Sequence, residues 1–281
     1  MTFSFSFPII SSIQEMFGFS FMRNALFALL LIGPLLGLLG TMAVNNRLAY
    51  FSDALGHSAL TGIAIGVLLG LQNQLVSMIA FGILMAIVIS RVKAGGNSST
   101  DTVISVASSV TMAVGLVILS RGGGFARYST FLVGDILAVT QSDILLLAVT
   151  LTTVVLLWFF LFNPLLLTSV NPSLATSRNV KTVLVETLFI VVVAVVVMLS
   201  IQWVGILMIN ALLILPAAAA RNVARSSRQY TSLAVLFSLG SGCLGLILSY
   251  IADVSTGPMI VLLLGVIFGA TLLIKSLSHT R

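Results

Sequence analysis

The sequence predicts an all-α protein, a polytopic transmembrane helical bundle of eight or nine spans with its N-terminus outside and its C-terminus cytoplasmic. Three observations carry this. Of 281 residues, 59% are hydrophobic and only 7% are charged. Mean hydropathy is +1.20. The apolar residues also fall in runs long enough to cross a hydrocarbon layer of about 30 Å. A chain so poor in charge is at home in a lipid bilayer, and seven acidic residues leave no room for a soluble catalytic domain. The net charge of +6 does not point to nucleic acid, because the basic residues cluster between apolar runs, where they set topology. The lone Cys243 lies inside an apolar segment and forms no intrachain disulfide.

Residues 1–21, rich in Phe and Ser, lack a basic start and a cleavage site, which argues against a signal peptide. They are expected to form an N-terminal interfacial segment, with a short helix over 13–21. Residues 22–281 then form a single transmembrane domain. Its spans are predicted at 24–44, 50–71, 74–92, 102–120, 143–163, 182–201, 203–220, 231–251 and 257–274. The break at 201–203 is the shortest, so eight spans stand beside nine. With the N-terminus outside, ten basic residues fall in inner loops: Arg47, Arg91, Lys93, Arg178, Lys181, Arg221, Arg225, Arg228, Lys275 and Arg281. Arg23, Arg121 and Arg127 fall outside. The reverse orientation inverts that count and violates the positive-inside rule.

Two connections are more than loops. Residues 121–142 are too mixed to span and too apolar for an ordinary loop, so a short re-entrant or half helix is expected near the outer surface. Asp135 there either touches an entry path or has a helix-capping or interfacial role. Residues 164–181 fall on the inner side, where Asn171-Pro172 is a helix start. A compact inner helix there is a surface for a soluble partner; the alternative is a plain basic loop. In 203–220, Pro216 should kink the helix, and Asn210 either ties helices together or lines the path.

The run from Phe51 carries the chemistry. Its first residues, FSDALGHSALTGIAIG, hold Asp53 and His57, one of only two histidines. A spacing of four places the two side chains about 40° apart on one helical face. Thr61 and Ala64 share that side, while Gly62, Gly66 and Gly70 face away, where small residues admit a neighbouring helix. An acid and an imidazole within a membrane are costly unless they face protein, water or an ion. Together they suit a borderline divalent metal. Proton or polar gating, or simple capping by Asp53 or Ser52, are the alternatives. Two ligands do not close a site, so further ones must come from elsewhere or from a second copy.

RLAYFSDALGHSALTGIAIG, FLVGDILAVTQSDILL, QWVGILMINALLILPAAAAR and STGPMIVLLLGVIFG, in that order, resemble the metal-ion family of ATP-binding-cassette importer permeases over residues 22–275. The resemblance implies a permease subunit of the bacterial cytoplasmic (inner) membrane that is not itself an enzyme. It implies three partners: a cytoplasmic ATP-binding-cassette ATPase, an extracellular or periplasmic metal-binding protein, and a second permease copy in a homodimer or close heterodimer. The transported ion would be zinc, manganese or iron, with no cofactor held permanently. It assigns ion contact to Asp53 and His57. ATPase docking falls on the inner helix at 171–180, through Asn171, Pro172, Ser173, Leu174, Ala175, Thr176, Ser177 and Arg178. Four positions, Asn171, Ser173, Asn179 and Thr61, depart from the family pattern. Asn171-Pro172-Ser173 stands where Asp-Pro-Glu is usual, Asn179 where a Gly is usual, and Thr61 where a Pro is usual.

The chain has no GxxxxGK[ST] loop and no HExxH motif, so neither ATP binding of that type nor zinc proteolysis belongs to it. The remaining rivals are a proton-coupled secondary metal transporter, with Asp53 and His57 as relay, and an importer of a vitamin- or siderophore-class solute.

Overall fold

A computed structural model describes residues 15–95, 99–121, 131 and 134–279. Among the described residues, nine helices are long and apolar enough to span a membrane. They are α1 (Ser20–Asn45), α2 (Phe51–Leu68), α3 (Gln74–Ala94), α4 (Thr100–Arg121), α5 (Gln141–Val170), α7 (Thr182–Val204), α8 (Ile206–Val223), α9 (Ser227–Ala252) and α10 (Thr256–His279), with a short α6 (Pro172–Ser177) between α5 and α7. The expected interfacial helix over 13–21 falls partly outside the described residues.

Among the described residues, nine helices of spanning length rather than eight result from one glycine. Ile201, Gln202 and Trp203, expected to turn, are helical, and the chain reverses at Gly205, with φ 80° and ψ 157°. That conformation is essentially closed to residues bearing a Cβ, so a single residue separates α7 from α8. The helix α2 ends earlier than its apolar run. Gly70 takes φ +69°, Leu71 N–H donates to the Gly66 carbonyl at 2.9 Å, and Gly70 N–H donates to that of Val67 at 3.1 Å. This pair of bonds closes a helix C-terminus. Gly70 therefore ends the helix rather than packing against a neighbour.

The connection expected from 164 begins later. The helix α5 runs through Pro164 to Val170, since an apolar environment sustains the flanking hydrogen bonds around one missing donor. Of the expected re-entrant segment, residues 122–130 and 132–133 lie outside the described residues. Beyond them the chain makes one 3₁₀ turn, Ile136–Ala138.

Glycines set the helix spacing. In α1, Gly33, Gly37 and Gly40 form one stripe; the first two lie against Leu239 and Val235 of α9, and Gly40 lies against the Leu213 carbonyl of α8. On α2, Gly62 lies against the Met78 backbone and Gly66 against Ser77, so α3 packs antiparallel on that face, as the sequence pattern predicts. Gly40→Ala would drive a methyl into a backbone carbonyl that cannot rotate away. It is expected to cost about 1–3 kcal/mol, measurable as a lowered Tm in detergent.

The same contacts fix depth. With Gly62 level with Met78, Lys93 at the end of α3 lies level with Arg47, just before α2. At 1.5 Å per residue, Asp53 and His57 lie roughly 9 and 15 Å above that basic rim, inside the apolar layer. Lys93 Nζ pairs with Glu186 Oε2 of α7 at 3.1 Å, and the Ser90 and Thr187 hydroxyls share a hydrogen bond of 2.6 Å. These bonds tie α3 to α7 at the same rim.

A candidate metal site on the second helix

The helix α2 starts after a tight turn at Arg47, which has φ 57°. The Asn46 side chain donates to the Met42 carbonyl at 2.8 Å, and Leu48 N–H donates to that of Ala43 at 2.8 Å. The first helical turn has no side-chain cap, so Asp53 and Ser52 do not cap it. Both reach another helix instead. Asn210 Nδ2 of α8 donates to Asp53 Oδ1 at 2.7 Å, and Ser52 Oγ donates to Asn210 Oδ1.

From Phe51 to Ala64 every residue is buried except Asp53 and His57. Their side chains are 48% and 27% exposed, and Asp53 Oδ2 faces His57 Nε2 at 3.6 Å. That separation is too long for a hydrogen bond. His57 Nδ1 is buried without a partner. The imidazole therefore spends neither nitrogen on a hydrogen bond, and its lone pair remains free for a cation. Asp53, held through one oxygen, presents the other.

Both open into a cavity of about 250 Å³ shared with Tyr50 and with Ile104, Ser105, Ser108, Ser109 and Met112 of α4. The cavity has room for an ion with several waters. The four α4 residues from Ser105 onward are spaced 105, 108, 109 and 112, a single helical face. The hydroxyls offer neutral oxygens and Met112 a soft sulfur. That face was legible in the sequence as a polar stripe in an otherwise apolar run. Ser52 gave no comparable signal.

Two expected neighbours lie elsewhere. Thr61 is buried, and its hydroxyl donates to the Thr111 carbonyl of α4; Ala64 is buried as well. Gly115 of α4 approaches Thr61 so closely that it leaves no space for a Cβ. The structure thus places Thr61 in the α2–α4 contact. Asp135 caps the 3₁₀ turn, its Oδ1 accepting from Leu137 N–H at 3.0 Å. It lines a separate pocket of about 110 Å³ with Trp203, Met208 and Thr256. Asn24 Nδ2 ties this turn to α1 through the Val139 carbonyl at 3.1 Å, at the end of the bundle away from the basic rim. Asp135 is not brought to Asp53.

Among the described residues, no group of three or more His, Cys, Asp or Glu side chains converges. One chain thus brings two candidate ligands together, short of the four that a closed zinc site uses. The segment with the docking expectation is well formed. Asn171 Oδ1 caps α6 by accepting from Leu174 N–H at 3.0 Å. Pro172, Ser173, Leu174, Thr176, Ser177 and Arg178 are exposed around a buried Ala175. Asn179 adopts φ 58°, a left-handed conformation that asparagine tolerates better than most residues.

The ABC 3 transport family model matches residues 18–275. The chain is 32% identical over 256 residues to the manganese import system permease protein ScaB of Streptococcus gordonii, covering 91% of this chain and 92% of that one. It is 31% identical over 250 residues to the high-affinity zinc uptake system membrane protein ZnuB of Haemophilus influenzae, covering 86% and 94%. Its fold matches PsaBC from Streptococcus pneumoniae, solved in complex with Fab, with TM-score 0.81 and 30% identity over 94% of this chain and 95% of that one. A putative metal-chelate type ABC transporter in an inward-facing conformation shares the fold at TM-score 0.73 and 15% identity. On the family match and these relatives, the chain belongs to the ABC 3 transport family.

Proposed function

We propose that this chain is the permease subunit of an ATP-driven importer of manganese or zinc, and that Asp53 and His57 are ligands of the passing ion. One observation carries the site: along the buried first 14 residues of α2, only an acid and an imidazole open to a cavity. The relatives named as manganese or zinc permeases support the cargo. The Asp53–His57 pair fits two copies related by a two-fold axis, which together supply up to four ligands. A site assembled between copies can also come apart, as release requires.

The rest of the machine is organised as in the family. A separate ATPase, on the cytoplasmic side with the basic rim, engages α6 through residues 171–178. A metal-binding protein delivers the ion on the opposite side. ATP-driven closure of the ATPase pulls on α6 and re-orients the paired permeases about the path, giving alternating access.

The test is radiolabelled manganese and zinc uptake in cells carrying the whole transporter. Uptake of one or both ions that needs the ATPase subunit, and survives collapse of the proton gradient, is the expected result. Uptake that persists without the ATPase and stops with the gradient would replace this reading with the proton-coupled one. Uptake of neither metal would favour an organic solute.

A further inference from the structure

We infer that a crevice between α3, α6 and α7 is a binding site for an anionic phospholipid. It has a volume of about 1120 Å³, and its lining includes Arg91 and Lys181 but no acidic residue. The helices α3 and α7 are antiparallel here, as the Ser90–Thr187 and Lys93–Glu186 bonds require. On α3, Ile87 lies one turn before Arg91; on α7, Leu184 and Leu188 lie one and two turns after Lys181. Both stripes therefore run from exposed apolar side chains to an exposed cation at the same rim. Glu186, the nearest acid on α7, is engaged by Lys93. Among the described residues Arg91 and Lys181 make no ion pair, so the crevice keeps two positive charges above an apolar wall.

That polarity matches one occupant. A phosphate headgroup meets Arg91 and Lys181, with the Thr187 hydroxyl on the lining below them, and the acyl chains run along Ile87, Leu184 and Leu188 into the apolar layer. A free anion would leave the apolar wall of Ile87, Leu184 and Leu188 uncovered. The crevice also includes Thr176 and Asn179, so a bound lipid would brace the end of α6 against α3.

The test is native mass spectrometry of the full chain in detergent, titrated with phosphatidylglycerol or phosphatidylcholine of the same acyl length. Wild type should retain phosphatidylglycerol at least about 10-fold better, as two cations near an anionic surface allow. An Arg91→Gln/Lys181→Gln variant of unchanged Tm should lose that preference, and an Arg91→Lys/Lys181→Arg variant should keep it. Equal retention of the two lipids by wild type, or a preference that survives the double glutamine change, would overturn the site. Competition by glycerol 3-phosphate as strong as by the whole lipid would also overturn it, as a simple anion site. Loss of the preference once the ATPase is co-purified would assign the crevice to that partner. Each readout is independent of metal transport, so it fails or succeeds apart from the importer reading.

Discussion

His57→Ala is expected to reduce uptake at sub-saturating metal by about 100-fold or more, at unchanged abundance in the membrane. The size comes from ligand number: about 10–16 kcal/mol of zinc affinity spread over four ligands is about 2.5–4 kcal/mol each, and each 1.4 kcal/mol is tenfold. A two-fold assembly loses two imidazoles at once. Abundance should hold because the imidazole makes no hydrogen bond and opens into a cavity, so its removal orphans no buried group. Asp53→Asn is the sharper companion, since an amide oxygen still accepts from Asn210 while the charge is gone. It should fall by a similar factor if the carboxylate binds the ion. Uptake by either variant equal to wild type at matched expression would remove that residue from the site and leave the fold untouched.

The part of the candidate site that lies within one helix is legible in the sequence, because periodicity alone puts residues four apart on one face. Thr61 and Ala64 satisfied the same geometry yet are buried, because α4 covers that part of α2. Gly115 against Thr61 marks that close approach. Which stretch of a helical face a neighbour covers is a tertiary fact with no local signature. The same holds for Asn210, read as either glue or path: its partners lie 157 and 158 residues away in sequence.

Hydropathy places the spans within about four residues of the observed helix ends, except at the C-terminal ends of α5 and α10, which run on to Val170 and His279. The other errors fell where backbone conformation, not hydropathy, decides. Gly205 reverses the chain beyond the expected polar break, and Gly70 stops α2 inside an apolar run. Asn179 carries the turn after α6 in a left-handed backbone, a conformation that asparagine tolerates better than most residues.

Asn210→Leu is expected to raise the KM for uptake by about 10–100-fold, the usual cost of losing an outer-shell partner of a metal ligand, with a much smaller change in maximal rate. Its amide orients Asp53 from α8 while its oxygen takes the Ser52 hydroxyl, so the substitution frees the carboxylate to rotate away from His57. If Asn210 only holds α8 to α2, the variant should instead lose Tm and abundance with KM unchanged, and Asn210→Gln should restore stability. The distinction bears on how an ion is let go. A carboxylate oriented from within its own helix would keep one affinity in every state of the transporter. Oriented across a helix boundary, it changes affinity whenever α8 shifts against α2, and the ion in turn favours the state in which the bond is intact. If Asp53 binds the ion, Asn210 gives the ATP-driven motion a direct lever on it, and a KM effect without loss of fold is the expected signature.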